Sequence, residues 1–130
     1  MPLVRLTVAR GLSRERLAAL SEGVHHALVT VANAPADDRF QVIEEVPPDS
    51  LVWPASYLGI EHRAPLAFVQ VFMNVGRTVE VKKALYAALA DAVAAAAPIR
   101  REDVIVNLVE VARENWSFGG GVMSYPPPNE

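Results

Sequence analysis

Residues 66–111 read LAFVQVFMNVGRTVEVKKALYAALADAVAAAAPIRREDVIVNLVEV, and this stretch decides the fold. Leu66 to Met73 carries almost no charge, which predicts a strand buried on both faces. Gly76 breaks the strand and Thr78 is suited to cap a following helix. Val81, Leu85, Leu89, Ala92, Val93 and Ala96 then recur at helical spacing and form one apolar stripe. Ala97-Pro98 ends that helix, and Val104 to Val111 reads as a returning strand. Strand, helix and strand make a β-α-β unit.

The same design precedes it. Val4, Leu6 and Val8 alternate along Pro2-Leu3-Val4-Arg5-Leu6-Thr7-Val8, as one face of a strand. Gly11 interrupts it and Ser13 is a good N-cap. Leu17, Leu20, Val24, Ala27, Leu28 and Val31 form a second helical stripe, stopped at Asn33-Ala34-Pro35. A strand from about Phe40 to Val46 closes the unit. Both helices stop at an Ala-Pro pair, so the chain reads as a tandem duplication. The expected fold is α/β (α+β): a four-stranded sheet with two helices on one face. A single domain is expected over 1–130, with unit one at about 2–46, a connector at 47–64, unit two at about 65–111 and a C-terminal segment at 112–130. That last segment holds Trp116-Ser117-Phe118-Gly119-Gly120-Gly121 and a short strand or hairpin running to Tyr125. The tail Pro126-Pro127-Pro128-Asn129-Glu130 cannot pair as a central strand and is expected to fray.

Each crossover makes its two strands parallel, and parallel strands start at the same end of a sheet. Asp38, just before the second strand, is therefore expected at the end where Pro2 begins the first. If a pseudo-twofold axis relates the units, Arg77 at the end of the third strand falls on that edge too. If the units lie parallel, Arg77 goes to the far edge.

Composition narrows the classes of function. At 130 residues with 52% apolar and 21% charged side chains, the chain fits one folded globular domain. No apolar run reaches the ~20 residues of a membrane span, and Met1 to Arg10 does not read as a secretory signal, so none is expected. The chain contains no cysteine, which removes disulfides, thiolate nucleophiles and zinc-thiolate centres. The formal net charge of -3 with scattered Lys and Arg argues against nucleic acid as the main partner. A cytoplasmic location is the default expectation.

Few residues can carry chemistry. Pro2 becomes a free secondary amine if Met1 is removed. An α-amino group titrates at about 7.7, so a proline nitrogen can act as neutral base or cationic acid near neutral pH. Pro2 can equally serve only to start a strand. Arg77 stands just before a helix cap, where free N–H groups, the helix dipole and a guanidinium together suit a carboxylate; a solvated surface arginine is the alternative. Asp38 could orient a water or hold a proline ammonium, or be a turn residue. Trp116 and Phe118 could wall a pocket or cover the core or an intersubunit seam. His25 and His26 diverge on their helix, His62 stands alone, and no metal site is expected.

In combination these residues resemble the tautomerase superfamily, and most of all its malonate semialdehyde decarboxylase group. The similarity runs through Met1-Pro2-Leu3, Pro35-Ala36-Asp37-Asp38-Arg39-Phe40-Gln41, Tyr57-Leu58-Gly59-Ile60, Gly76-Arg77-Thr78, Asp103-Val104-Ile105-Val106 and Trp116-Ser117-Phe118-Gly119. The resemblance implies a homotrimer of β-α-β units that needs no cofactor. It implies Pro2 as catalytic amine, Asp38 as the carboxylate that adjusts it or positions water, and Arg77 as the group that binds the substrate carboxylate. It implies Trp116 and Phe118 as an aromatic wall. The expected activity is a tautomerase or decarboxylase acting on a small 2-oxo or 3-oxo carboxylic acid, of malonate semialdehyde or phenylenolpyruvate type. Some members carry a second arginine two residues before Arg77, where this chain has Val75. The alternative expectation is a non-catalytic trimer that binds a small acid or another protein.

Overall fold

The computed structural model describes residues 2–128; the expectations concerning Met1, Asn129 and Glu130 lie outside the described residues. Strand β1 spans Leu3–Ala9, helix α1 Arg14–Val31, β2 Phe40–Val46, β5 Ala67–Asn74, α2 Val79–Ala96 and β6 Val104–Val111, with two two-residue strands, β3 at Ser56–Tyr57 and β4 at Ile60–Glu61, in the connector. Both caps act as expected: Ser13 Oγ accepts the Arg16 N–H and Thr78 Oγ1 accepts the Val81 N–H, each at 3.2 Å. Gly11 and Gly76 occupy the two strand-to-helix junctions with φ of 120° and 123°, a backbone conformation only glycine adopts without strain.

The four long strands form one sheet in the order β2-β1-β5-β6. β1 and β2 are parallel with Leu3 opposite Phe40, and β5 and β6 are parallel with Asn74 opposite Val111. β1 and β5 are antiparallel, with Leu3 opposite Phe72. The pseudo-twofold arrangement is thus the one adopted. The starts of β1 and β2 and the ends of β5 and β6 share one edge of the sheet.

Alternation along the strands decides which face meets the helices. Val4, Leu6 and Val8 of β1 and Ala67, Val69, Val71 and Met73 of β5 are buried with Leu20, Val24 and Leu28 of α1 and Leu85, Leu89 and Val93 of α2. Burying one such side chain contributes about 1.5–3 kcal/mol. The helices approach closely because Gly23 of α1 has no side chain; a Cβ there would lie 3.2 Å from the Ala92 Cβ of α2. The expectation of a third long strand buried on both faces is corrected. Phe68, Gln70, Phe72 and Asn74 of β5 are only half-buried, because both helices lie on the other side of the sheet.

The C-terminal segment also differs from expectation. No strand or hairpin forms there among the described residues: a 3-10 turn at Arg113–Asn115 is followed by bends and turns. Gly119, Gly120 and Gly121 all have positive φ, and prolines 126–128 have no N–H to donate to a ladder. The connector, expected as loop, does contain the β3-β4 hairpin, with Tyr57 opposite Ile60.

A buried carboxylate ties that hairpin to the core. Asp103, 1% exposed in the 3-10 turn just before β6, accepts hydrogen bonds from the Arg63 N–H at 2.8 Å and from Arg100 Nε at 2.8 Å, and His62 Nδ1 lies 3.5 Å away. His62 is therefore not isolated, as its sequence position implied. Burial alone would raise the Asp103 pKa, but the Arg100 and Arg63 hydrogen bonds and the Arg100 charge outweigh it and hold the carboxyl below its ordinary value. A lowered pKa stabilises the fold at all pH above the unfolded value of about 4, and the contribution is lost as pH falls through the lower folded value. Asp103→Asn is expected to cost about 2–4 kcal/mol in urea unfolding at pH 7, with the gap from the parent chain closing below about pH 4. An equal gap at pH 7 and pH 3 would show that ionisation of Asp103 is not the source.

Candidate active site

The shared sheet edge gathers the residues singled out by chemistry. Pro2 precedes β1 and is buried. Asp38 lies two residues before β2, in the turn that follows α1, and its backbone N–H donates to the Pro35 carbonyl at 3.0 Å. Its side chain is driven inward: the residue is 9% exposed, and its Oδ2 is buried without a hydrogen-bond partner. An unpaired buried carboxylate oxygen is costly to maintain in a folded chain.

Arg77 leaves β5 at the same edge. Its Nε donates to the Ala32 carbonyl at 3.0 Å and one Nη to the Asn74 carbonyl at 3.2 Å. These two bonds anchor the guanidinium against the end of α1 and leave several of its five N–H groups for other partners. Nearby, Lys82 Nζ donates to Glu110 Oε1 at 2.8 Å. The Lys82 hydrogen bond and charge, with lesser help from the Gly76 N–H and the Arg77 charge, hold the Glu110 pKa below its ordinary value against the opposing effect of burial.

Trp116 and Phe118 reach the edge from the segment after β6. Their rings stack with centroids 5.1 Å apart, and Phe118 lies 5.1 Å from Phe40, the first residue of β2. Tyr125 meets Phe118 edge-on at 6.1 Å, and the Arg113 guanidinium covers the Tyr125 ring at 4.8 Å. The segment is closed on itself by Ser124, whose N–H donates to the Trp116 carbonyl and whose Oγ accepts the Phe118 N–H. Trp116 Nε1 donates to Asn74 Oδ1 at 2.6 Å, fixing the indole to the end of β5. Sequence reasoning missed Phe40, Asn74 and Arg113. Phe40 had a readable signal, an aromatic residue directly after Asp37-Asp38-Arg39 at a strand start. Asn74 had none, because its partner lies 42 positions away.

Grooves also lie away from this edge. One between α1 and α2 is lined by alanines with His26 and Asp91, and one beneath the hairpin by Trp53, Tyr57, His62 and Phe68. Neither contains any of the five expected site residues. Among the described residues no three His, Asp or Glu side chains converge as metal ligands. Among the described residues no helix is long and apolar enough to cross a membrane.

The tandem β-α-β sheet in the order β2-β1-β5-β6, with both helices on one face, is the fold of the tautomerases. A family model of tautomerase enzymes matches residues 38–119 and another matches residues 2–56, and the chain belongs to the tautomerase superfamily, in its malonate semialdehyde decarboxylase-like group. It is 34% identical over 121 residues to the probable tautomerase YusQ of Bacillus subtilis (strain 168), covering 93% of this chain and 95% of that protein. The crystal structure of FG41 malonate semialdehyde decarboxylase inhibited by 3-bromopropiolate matches with a TM-score of 0.87 and 33% identity over 95% of this chain and 93% of that one. A symmetric trimer of wild-type fused 4-OT matches with a TM-score of 0.79 and 27% identity over 93% of this chain and 94% of that one. The chain is accordingly an isomerase or decarboxylase of this superfamily.

Proposed function

We propose that the chain acts as a cofactor-independent tautomerase or decarboxylase on a small 2-oxo or 3-oxo carboxylic acid, with Pro2 as its amino-terminal amine. The observation that carries this reading is the convergence of Pro2, Asp38 and Arg77 on one edge, with Asp38 Oδ2 buried and unpaired. A buried oxygen with no internal partner suits a proline ammonium, a water or a substrate hydroxyl. The free N–H groups of Arg77 suit a substrate carboxylate, and the Phe40, Trp116 and Phe118 rings suit a planar conjugated body.

In this reading the substrate carboxylate pairs with Arg77, which orients the carbon that exchanges a proton toward Pro2. A neutral proline nitrogen takes a proton from oxygen or carbon and returns it to the other, converting enol to keto acid. A protonated proline instead joins Arg77 in stabilising the enolate that forms as the C–C bond to carbon dioxide breaks. That enolate then collects the proton. Asp38 favours the cationic proline by its charge, so its balance against Arg77 sets which course dominates. We place the enzyme in the cytoplasm.

We also propose that the protein is a homotrimer. Support comes from the trimeric fused 4-OT and from the half-buried face of β5, which association would cover.

The test combines intact mass of the natively produced chain with assays on phenylenolpyruvate and malonate semialdehyde. The expected result is a mass lacking Met1 and turnover of at least one acid. A retained Met1 turns the proline nitrogen into an amide, and would overturn the proposal, as would failure to turn over either acid.

A further inference from the structure

Resting on the proposed role of Asp38, we infer that His25 is the residue that positions that carboxylate. His25 lies on the buried side of α1, 8% exposed, and its Nε2 is 2.7 Å from the carbonyl oxygen of Ala36. Ala36 belongs to the turn that carries Asp38 between α1 and β2. A carbonyl oxygen can only accept, so Nε2 must hold a proton.

The turn needs such a tie. It starts at Ala32 and passes through Asn33, which has a positive φ of 59°, before Pro35. Its beginning is fixed by the Ala34 N–H to the Leu28 carbonyl and by Arg77 Nε to the Ala32 carbonyl. Its end is fixed by the entry of β2 beside β1. Among the described residues, the His25 bond is the side-chain hydrogen bond made to residues 33–37. It therefore links the middle of the turn to a rigid helix two residues before Asp38.

Asp38 has little else to orient it. Among the described residues its Oδ2 has no hydrogen-bond partner, so the backbone of the turn and the packing around the side chain set the direction of the carboxylate. The polar neighbours of His25 on its open side are Glu22, His26, Asp37 and Arg39. Arg39 is engaged by Glu22, and none of the four bonds the Ala36 carbonyl. The imidazole is thus a rigid spacer between helix and turn. A displacement of about 1 Å in a proton-handling group can cost on the order of a hundredfold in rate.

The test measures kcat and KM with phenylenolpyruvate for His25→Leu, His25→Gln, His25→Asn, Asp38→Asn and the His25→Leu/Asp38→Asn double variant, each with a thermal melt. Expected is a fall in kcat of about tenfold to a hundredfold for His25→Leu with KM changed less than about threefold. Glutamine can bring an N–H to the position of Nε2 and is expected to restore kcat to within about threefold, whereas the shorter asparagine is not. In the double variant the two losses are expected not to multiply: kcat stays within about twofold of Asp38→Asn alone, because His25 acts through that carboxylate. Multiplying losses, equal kcat in the Gln and Asn variants, or full kcat in His25→Leu would each overturn the inference. If His25→Leu does not fold, the Gln and Asn pair decides. Full activity in Asp38→Asn would instead overturn the role of Asp38, which impaired Asp38→Asn with intact His25→Leu would leave standing.

Discussion

Pro2→Ala is expected to lower kcat for phenylenolpyruvate by about 10²–10⁴-fold, the usual contribution of a positioned acid or base. The mechanism asks for a nitrogen that is held rigidly, carries no acyl group and titrates near neutrality. Alanine keeps an amine but not the ring, which makes the nitrogen a secondary amine and stops rotation about its bond to Cα at the buried head of β1. Some rate should therefore survive, and it should show an altered pH profile, because a primary amine in a looser setting titrates differently. A variant that retains Met1 should lose still more, since an amide nitrogen is no base. Steady-state kinetics across pH 5–9 on both variants checks this. Unchanged kcat and an unchanged profile in Pro2→Ala would remove the proline from the reaction.

Arg77→Ala is expected to cost about 10²–10³-fold in kcat/KM, as lost charge-assisted hydrogen bonds to one carboxylate imply. The loss should fall mainly on KM if the guanidinium grips substrate and transition state alike, and on kcat if it steadies an enolate. Arg77→Lys separates charge from geometry. Lysine keeps the cation but cannot reproduce the planar fork that spends Nε on Ala32 and one Nη on Asn74 while facing a ligand. Only partial recovery is therefore expected. Full activity in Arg77→Lys would show that a point charge suffices; full activity in Arg77→Ala would exclude the residue as the carboxylate site. Because Val75 is exposed and apolar, no second arginine stands at that position to take over.

Much of the edge was legible from local pattern. Both helices, their Ser13 and Thr78 caps and their Ala-Pro stops follow from periodicity and capping chemistry, which act over a few residues. The placing of Pro2 and Asp38 at one end of the sheet followed from the direction of one crossover. Less was legible where partners are remote. The bond between Asn74 and Trp116, the seat of Phe118 on Phe40 and the packing of Asp103 with His62 and Arg100 join positions that no short window contains. The C-terminal segment misled for a local reason: Met123 to Tyr125 has strand-like residues, but the three preceding glycines and the following prolines give it turn geometry.

From the order of its residues alone this chain is committed to two β-α-β units, because alternation, helical spacing and caps are interactions between near neighbours. Whether those units lie antiparallel is decided only by how β1 and β5 pair, and that depends on long-range packing of Val4, Leu6, Val69 and Val71 beneath two helices. That pairing brings Arg77 and the aromatic rings to the edge where Pro2 and Asp38 already stood, and burial in the finished fold is what leaves Asp38 Oδ2 without a partner.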